Sequence, residues 1–322
     1  MKKLTVFCAA ACLAASAAAQ NHPDLHEVLD RQKGRNLIEI PKGTYTLDVR
    51  SNGPYKFHNL TDVHINGNGS TVICNNQEQA FSFYNCVRVE LRDLTIDYDP
   101  LCFTQGEITA VAEDGSWFDV RIDEGYPVTG LAANRVQFYD PQTRLLKRNS
   151  ITTYTSNYSA LKQLGHNLFR AVKNGTWSAG EQVGDLVVMD VKTDKPNAGV
   201  HTVMLNKCYN TKLENVTVYG SNTFSFFEKE GYANEYRNCV VDRGPMPQGI
   251  RPRLRSGNAD GIHSSQARKG PTVTGCKVGH NGDDCIIVCG RSFPVGSADA
   301  AKGTIDLVTR CLLYTSDAAD EL

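Results

Sequence analysis

The chain has 322 residues and a nearly balanced charge, with 34 lysine and arginine residues against 35 aspartate and glutamate residues. This length can supply a large core and more than one domain. A balanced charge argues against nucleic acid, and also against strongly polyanionic substrates, because both call for a basic surface.

The N-terminus has the pattern of a secretory signal peptide. Lys2 and Lys3 precede an apolar run over 4–13, and the small residues 17–19 offer a cleavage site before Gln20. The run is too short to span a membrane, and no other segment is long enough. We therefore predict export of the mature chain to the periplasm or the medium.

A lipoprotein anchored at Cys12 is the alternative, although a leucine is missing three residues before it. Removing residues 1–19 lowers the basic count from 34 to 32 against 35 acids, a net charge of −3.

A six-residue pattern recurs in the mature chain: apolar, any, Asn/Asp/Gly, apolar, any, apolar. Each copy alternates as a half-buried strand does, and its third residue tolerates left-handed backbone at a bend. The copies occupy 60–65, 91–96, 213–218, 236–241 and 273–278. Apart from the long gap between the second and third copies, their spacing suits the coils of a repeat protein.

Short strands at coil-length spacing favour an all-β fold, a right-handed parallel β-helix in which each coil packs on the next. We assign residues 20–105 to the N-terminal coils, starting with the strand–turn–strand pattern at 37–47, and 196–309 to the later coils. No segment has a sustained helical period, which argues against helical or leucine-rich repeats. A β-sandwich with irregular strands is the alternative.

The long gap between the second and third copies has a different pattern. Well-alternating strands joined by turn signals predict a small antiparallel, barrel-like β module inserted at 106–195. Its role, substrate binding or covering of the stack, is left open. The pattern fails again after Val308, and we interpret 310–322 as a non-native tail on a chain that lacks its C-terminal part.

Cysteine spacing indicates neither a disulfide framework nor a zinc site. Nine cysteines follow residue 19, an odd number with irregular spacing. Cys285 and Cys289 have no second pair of ligands nearby. We predict no metal and no cofactor.

Three aspartates carry the functional hypothesis. Asp260 lies in the segment 258–265, and Asp283 and Asp284 lie in the segment 280–285. The step from position 260 to position 283 has the length of one coil, which would gather the three carboxylates in one patch. Crowded carboxylates differ in pKa and can serve as acid and base, which is the chemistry of glycoside hydrolysis. The alternative is a pair of surface turns, since Asp-Gly is a common turn pair.

Five other residues are candidates for substrate binding. Histidines near the aspartates can orient a carboxylate or bind a sugar hydroxyl, or they can be solvated loop residues. Arg255 alternates with Arg251 and Arg253 along an extended segment. We interpret Arg251 and Arg253 as a solvated edge that discourages strand pairing. The candidates are His263, Arg255, His280, Asn258 and Glu228.

The segments 258–264 and 282–285 resemble glycoside hydrolase family 110, in the pectin-lyase-like superfamily. The resemblance runs from about Leu37 to Val308, but only the segments around the aspartates are specific. It implies a right-handed parallel β-helix with small β-barrel modules, and an inverting, exo-acting α-1,3-galactosidase whose three catalytic aspartates correspond to Asp260, Asp283 and Asp284. The polygalacturonases of family 28 share the Asp-Asp pair. Their first motif is Asn-Thr-Asp, where this chain has Asn-Ala-Asp, and their later His-Gly and Arg-Ile-Lys segments are not seen.

We therefore expect an exported enzyme that removes terminal α-1,3-linked galactose from glycans, with the choice of acid and base among the aspartates open. A polygalacturonase-like hydrolase is one alternative. A calcium-dependent polysaccharide lyase, using the aspartates as ligands and Arg255 or Lys269 near the base position, is another. A non-catalytic glycan-binding protein is the third.

Overall fold

The computed structural model describes residues 22–147, 157–175, 180–192, 200–290 and 294–307. The predicted signal peptide and the predicted tail lie outside these residues. Within them the chain forms 23 strands and two short helices, α1 (Leu25–Asp30) and α2 (Val49–Asn52), so the prediction of a β-rich chain is confirmed. In this part of the chain no helix is long and apolar enough to cross a membrane.

Two parallel sheets contain the repeated strands. The first has nine strands. They are β1 (Leu37–Glu39), β2 (Thr44–Leu47), β4 (His64–Cys74), β6 (Glu90–Tyr98), β14 (Lys212–Val218), β16 (Glu235–Arg237), β17 (Val240–Val241), β19 (Thr272–Thr274) and β20 (Lys277–Val278). The second has six strands. They are β3 (Tyr55–His58), β5 (Phe81–Tyr84), β13 (Val203–Asn206), β15 (Phe226–Lys229), β18 (Ile262–Ser265) and β21 (Ile286–Cys289).

Strands of the two parallel sheets alternate along the chain. In the second sheet each strand pairs with the next strand of that sheet along the chain. On the second sheet the successive register pairs are Tyr55↔Phe81, Phe81↔Val203, Val203↔Phe226, Phe226↔Ile262 and Ile262↔Ile286. Apart from the long step from Phe81 to Val203, these spacings lie in the range of about 20–45 residues usual for stacked repeats.

The bend residues of the sequence pattern adopt the left-handed conformation that the pattern predicts. All five have a φ between 52° and 67°: Asp62, Asp93, Asn215, Asn238 and Gly275. Asn, Asp and Gly tolerate this region better than other residues because their side chains are short or absent. The prediction of left-handed bends is confirmed.

The core between the two parallel sheets consists of inward side chains in register. Phe81, Val203, Phe226 and Ile262 form one such row on the second sheet, and each is at most 1% exposed. Full burial of a side chain of this size contributes roughly 1.5–3 kcal/mol. The packing therefore fixes the positions of neighbouring strands relative to one another, and with them the positions of the turns beside these strands.

A third sheet is antiparallel and has the strand order β10-β11-β8-β7-β12-β9. Its strands are β7 (Phe103–Val111), β8 (Trp117–Ile122), β9 (Leu131–Tyr139), β10 (Tyr158–Gln163), β11 (Leu168–Lys173) and β12 (Leu186–Val191). It has its own core, which includes Phe118, Phe138 and Val188, and Leu254 from the later coils packs into that core. A hairpin of β22 (Val295–Asp299) and β23 (Thr304–Leu307) follows the parallel sheets.

Ion pairs from the segment before Asp260 attach the antiparallel sheet and strand β6. Arg251 is 46% exposed and lies 3.1 Å from Glu107 and 3.2 Å from Asp123. Arg253 is buried and forms two bonds of 2.8 Å to the carboxylate of Asp97. The expectation of a solvated edge is wrong for Arg253, because its partner Asp97 lies 156 residues earlier and is invisible to local pattern.

Candidate active site

The three aspartates lie at the starts of two neighbouring parallel strands. Asp260 precedes β18 and the pair Asp283 and Asp284 precedes β21. One carboxylate oxygen from each residue lies within 4.8 Å of the others. Ile262 pairs with Ile286 in these strands, so Asp260 stands level with Asp284. The coil step expected from the sequence, which would set Asp260 level with Asp283, is wrong by one position.

Two glycines allow neighbouring chain segments to approach at this point. A Cβ on Gly282 would clash with the backbone of Asn258, and a Cβ on Gly261 would clash with Val278. Backbone contact this close requires a residue without a side chain. The glycine that accompanies each aspartate motif is therefore explained by close packing between neighbouring segments, and this packing brings the carboxylates together.

Asp260 is the buried member of the cluster, with 4% of its surface exposed. Burial raises the pKa of its carboxyl group above the ordinary value, and the negative charges of Asp283 and Asp284 raise it further. The hydrogen bond to His263, 2.6 Å between Oδ2 and Nδ1, acts in the opposite direction. Asp260 is therefore the carboxyl group of the cluster that the surroundings favour in its protonated form.

His263 is held in a fixed orientation beside Asp260. Its ring stacks on Phe224 with centroids 4.2 Å apart, and Phe224 stacks on His201 at 4.6 Å. The second ring nitrogen of His263, Nε2, lies 3.5 Å from Sγ of Cys289. These contacts leave the Nδ1 edge directed at Asp260. Phe224, His201 and Cys289 were not among the sequence candidates, because residues of these types give no local sign of such a role.

Asp283 is one of the two exposed members of the cluster, with a side chain that is 41% exposed. Its Oδ2 accepts a hydrogen bond of 2.7 Å from Nη1 of Arg135 in strand β9 of the antiparallel sheet. Arg135 is also absent from the sequence candidates. It lies 148 residues before its partner, and only the packing of two different sheets brings them together.

Arg255 and Asn258 are fully buried, so the expectation that they touch substrate is corrected. Arg255 donates to Asp190 at 2.9 Å, to Asn258 at 3.1 Å and to Gln137 at 2.8 Å. Asn258 donates to the carbonyl of Cys102 at 2.8 Å. Both side chains connect the segment that carries Asp260 to neighbouring parts of the chain, Arg255 to the antiparallel sheet and Asn258 to Cys102, and they position that segment.

Glu228 is also buried, at 1% exposure, and points into the core between the parallel sheets. Its carboxyl group accepts hydrogen bonds from Ser264 and, at 3.0 Å, from Asn234. Burial raises its pKa. The expectation that Glu228 lines a substrate groove is therefore wrong, because its position on β15 faces inward.

His280 lies apart from the cluster. Its ring contacts Asp242 at 3.9 Å, and within the described residues it has no hydrogen bond to any of the three aspartates. Burial, and then the charge of Arg243, lower its pKa. The structure therefore brings His263 to Asp260 and does not bring His280 there.

A separate polar depression of about 330 Å³ lies between the antiparallel sheet and the segment around Arg251. Glu107, Asp123 and Asn167 line it together with Arg121, and none of the three aspartates does. Arg251 forms ion pairs with Glu107 and Asp123 across it. Its charged groups are thus largely occupied with each other, and the carboxylate cluster is the stronger candidate for chemistry.

No family model and no curated protein sequence matches the chain. One similar solved structure carries the description "putative glycosyl hydrolase" from Parabacteroides merdae ATCC 43184, with 9% identity, a TM-score of 0.29 and 82% of each chain covered. Another is the tailspike protein gp49 from Pseudomonas phage LKA1, with 12% identity, a TM-score of 0.19 and coverage of 75% of this chain and 48% of the tailspike. Likenesses this weak carry no argument for a shared fold or a shared activity.

Proposed function

We propose that the chain is an exported glycoside hydrolase in which Asp260 is the general acid and one of the pair Asp283 and Asp284 is the general base. The observation that carries this proposal is the meeting of three carboxylate oxygens within 4.8 Å, one of them on a buried residue and two on exposed residues. Glycoside hydrolysis needs one protonated and one ionised carboxyl group flanking the same bond.

The proposed architecture is a right-handed parallel β-helix with residues 106–195 as an inserted module. Support comes from the alternation of strands between the two parallel sheets and from register steps of coil length on the second sheet. In such a winding, strands of successive coils lie roughly 4.7–4.9 Å apart. That spacing matches carboxylates that meet from neighbouring coils.

In the proposed reaction Asp260 gives its proton to the glycosidic oxygen as the bond to the anomeric carbon breaks. A carboxylate of the pair takes a proton from a water molecule, whose oxygen forms the new bond to the anomeric carbon. His263 keeps the carboxyl group of Asp260 in one orientation through the 2.6 Å hydrogen bond. The products are a free sugar and the shortened glycan.

For the substrate we propose a terminal α-1,3-linked galactose, on the basis of the resemblance carried by residues 258–264 and 282–285. The same resemblance favours inversion at the anomeric carbon. Oxygens within 4.8 Å are closer than the roughly 6.5–9.5 Å usual for inverting pairs and nearer the roughly 5–5.5 Å of retaining pairs. The anomeric configuration of the galactose that is released first therefore tests inversion against retention, separately from whether the protein cleaves the substrate.

A cation-dependent lyase is the second candidate, because three carboxylates this close could also ligate a divalent ion. A lyase needs a base that reaches the substrate. Arg255 is fully buried and paired with Asp190, and Lys269 lies over the ring of Tyr232, 5.9 Å from its centre. These positions favour hydrolysis over elimination.

The test is incubation of the protein with an α-1,3-galactosyl disaccharide, with and without chelator, followed by proton NMR. Release of galactose that chelator does not change supports the proposal. No cleavage of this disaccharide or of any α-galactoside overturns it. Release of an ultraviolet-absorbing unsaturated sugar from polyuronate, stopped by chelator, would establish the lyase instead.

A further inference from the structure

Strand β9 contains a large bulge at the point where it faces the carboxylate cluster. It pairs with β12 through Gln137↔Val188 on one side and Ala132↔Asp190 on the other. Between these pairs β9 has the segment 133–136, whereas β12 has only Met189. Bulges redirect side chains and are common beside active sites. Here the extra residues of the bulge include Arg135.

The backbone of the bulge is in an uncommon conformation that the surrounding residues hold. Arg135 has a φ of 47°, in the left-handed region that residues with a long side chain seldom occupy. Its carbonyl oxygen accepts a hydrogen bond of 2.6 Å from Nη2 of the buried Arg255. Further along the strand, Gln137 donates from Nε2 to the carbonyl of Gly282 at 3.0 Å. The bulge is therefore fixed to the turn that immediately precedes Asp283.

The result is a charged contact between the antiparallel sheet and the turn that carries Asp283. Nη1 of Arg135 lies 2.7 Å from Oδ2 of Asp283, and the arginine side chain is only 22% exposed. A charge-assisted hydrogen bond of this length is stronger than a neutral one. Partial burial also reduces the screening by solvent that weakens surface pairs.

We propose that Arg135 is the positioning residue that makes Asp283, rather than Asp284, the general base. The proposal rests on the proposed function and deepens it. Arg135 holds the carboxylate of Asp283 in one orientation beside Asp260, and the antiparallel sheet is thereby part of the active site. Asp260 differs in its surroundings, being buried and bonded to His263. Two neighbouring carboxyl groups in different environments can take the separate roles of acid and base.

A merely structural tie between the sheets is the competing explanation, and Arg251 supplies a matched control. It also links the antiparallel sheet to the segment 251–258 through ion pairs, with Glu107 and Asp123, but it does not touch the cluster. If the ion pairs only connect the sheet to this segment, Arg251→Met and Arg135→Met should lower kcat to the same extent. Loss of a positioned base should lower kcat in Arg135→Met alone, and Lys at position 135 should restore part of it.

The experiment measures kcat and KM for hydrolysis of the α-1,3-galactosyl disaccharide by the whole chain and by Arg135→Met, Arg135→Lys and Arg251→Met. We expect kcat to fall by about 10²-fold or more in Arg135→Met, the scale of a general base that is lost, with KM nearly unchanged. Arg135→Lys should recover about tenfold of that loss, because it returns a positive charge without the planar fork. Arg251→Met should keep the original kcat.

The proposal is overturned if Arg135→Met keeps kcat within about twofold, a change too small for a base, or if Arg135→Lys is no more active than Arg135→Met. A chain inactive toward every α-galactoside overturns the proposed function instead. The ion pair is then tested without activity, by denaturation of Arg135→Met, Asp283→Asn and the double variant. Non-additive midpoints support the coupling of these two residues, and additive midpoints overturn it.

Discussion

Nδ1 of His263 lies 2.6 Å from Oδ2 of Asp260, three residues earlier in the chain, and Phe224 covers the imidazole face. The hydrogen bond lowers the pKa of Asp260, whereas burial and the two neighbouring aspartates raise it. His263 therefore moderates a carboxyl group that its surroundings would otherwise keep protonated to a higher pH.

Replacing His263 should move the pH dependence of hydrolysis. A general acid works while it is protonated, so activity falls as the pH rises through its pKa. His263→Phe removes a contribution that lowers the pKa of Asp260, so the falling limb of kcat/KM should shift to higher pH. The maximal rate should decrease, because the carboxyl group loses its fixed orientation. The pH–rate profile of the variant measures both effects.

His280→Phe is the control for that experiment. His280 contacts Asp242 and not the cluster, so its loss should leave the limb in place. A limb that stays where it was in His263→Phe, or that moves to lower pH, would remove Asp260 from the role of acid.

Asp260→Asn should make the folded protein more stable at neutral pH while it abolishes hydrolysis. The pKa of Asp260 is raised in the folded state, so the folded protein binds this proton more tightly than the unfolded chain does. Stability from this group is then fully present at low pH and is lost as the pH rises through the folded pKa. Asparagine is neutral throughout and avoids the loss. Urea denaturation at pH 4 and pH 8 measures the difference, and a variant less stable than the original protein at pH 8 would contradict it.

Glu228 should behave in the same way without any effect on the aspartates. Burial raises its pKa above the ordinary value of 4.5, so the stability that it contributes declines as the pH rises through the raised value. Glu228→Gln keeps the shape and the partners Ser264 and Asn234, and should flatten the dependence of stability on pH. Glu228→Ala should instead cost about 2–4 kcal/mol, because it leaves a cavity and unsatisfied polar partners. Equal loss in the two variants would show that the carboxyl group is not buried as described.

Arg255→Met should be among the most destabilising substitutions of a polar residue in this chain. Arg255 is fully buried and bonded to Asp190 at 2.9 Å, and breaking such a pair leaves an uncompensated buried charge at a cost of about 3–5 kcal/mol. Arg251→Met is the matched control, since its ion pairs are 46% exposed on the arginine side and worth about 0–1 kcal/mol. Free energies of unfolding from denaturant titration test the contrast. Similar losses for the two variants would contradict the burial of Arg255.

Sequence pattern predicted what depends on local spacing. The left-handed bends at Asp62, Asp93 and Asn215 are visible because a short polar residue recurs at one point of an alternating strand. The approach of Asp260 to the Asp283–Asp284 pair was predicted from one coil step, although the register proved to be one position longer than expected. Such features need only the period of the strand and the coil.

Sequence pattern failed where the direction of a side chain depends on distant packing. Glu228 carries a charge, which favours a solvent-facing position, but it occupies one of the inward-facing positions of β15. Arg255 has a side chain of the type that binds sugar hydroxyls, yet it lies in the interior, where it pairs with Asp190 of the antiparallel sheet. Arg135 could not be found at all, because its function arises from a bulge and from a partner 148 residues away.

The most direct measurement compares galactose release from an α-1,3-galactosyl disaccharide by the original protein and by Asp283→Asn, with circular dichroism as the check of folding. We expect the original protein to release galactose and the variant to lose at least about 10²-fold in kcat, as for a missing base, while it keeps the same spectrum and a cooperative thermal transition. Full turnover by a folded Asp283→Asn would contradict the assignment of Asp283 as the general base.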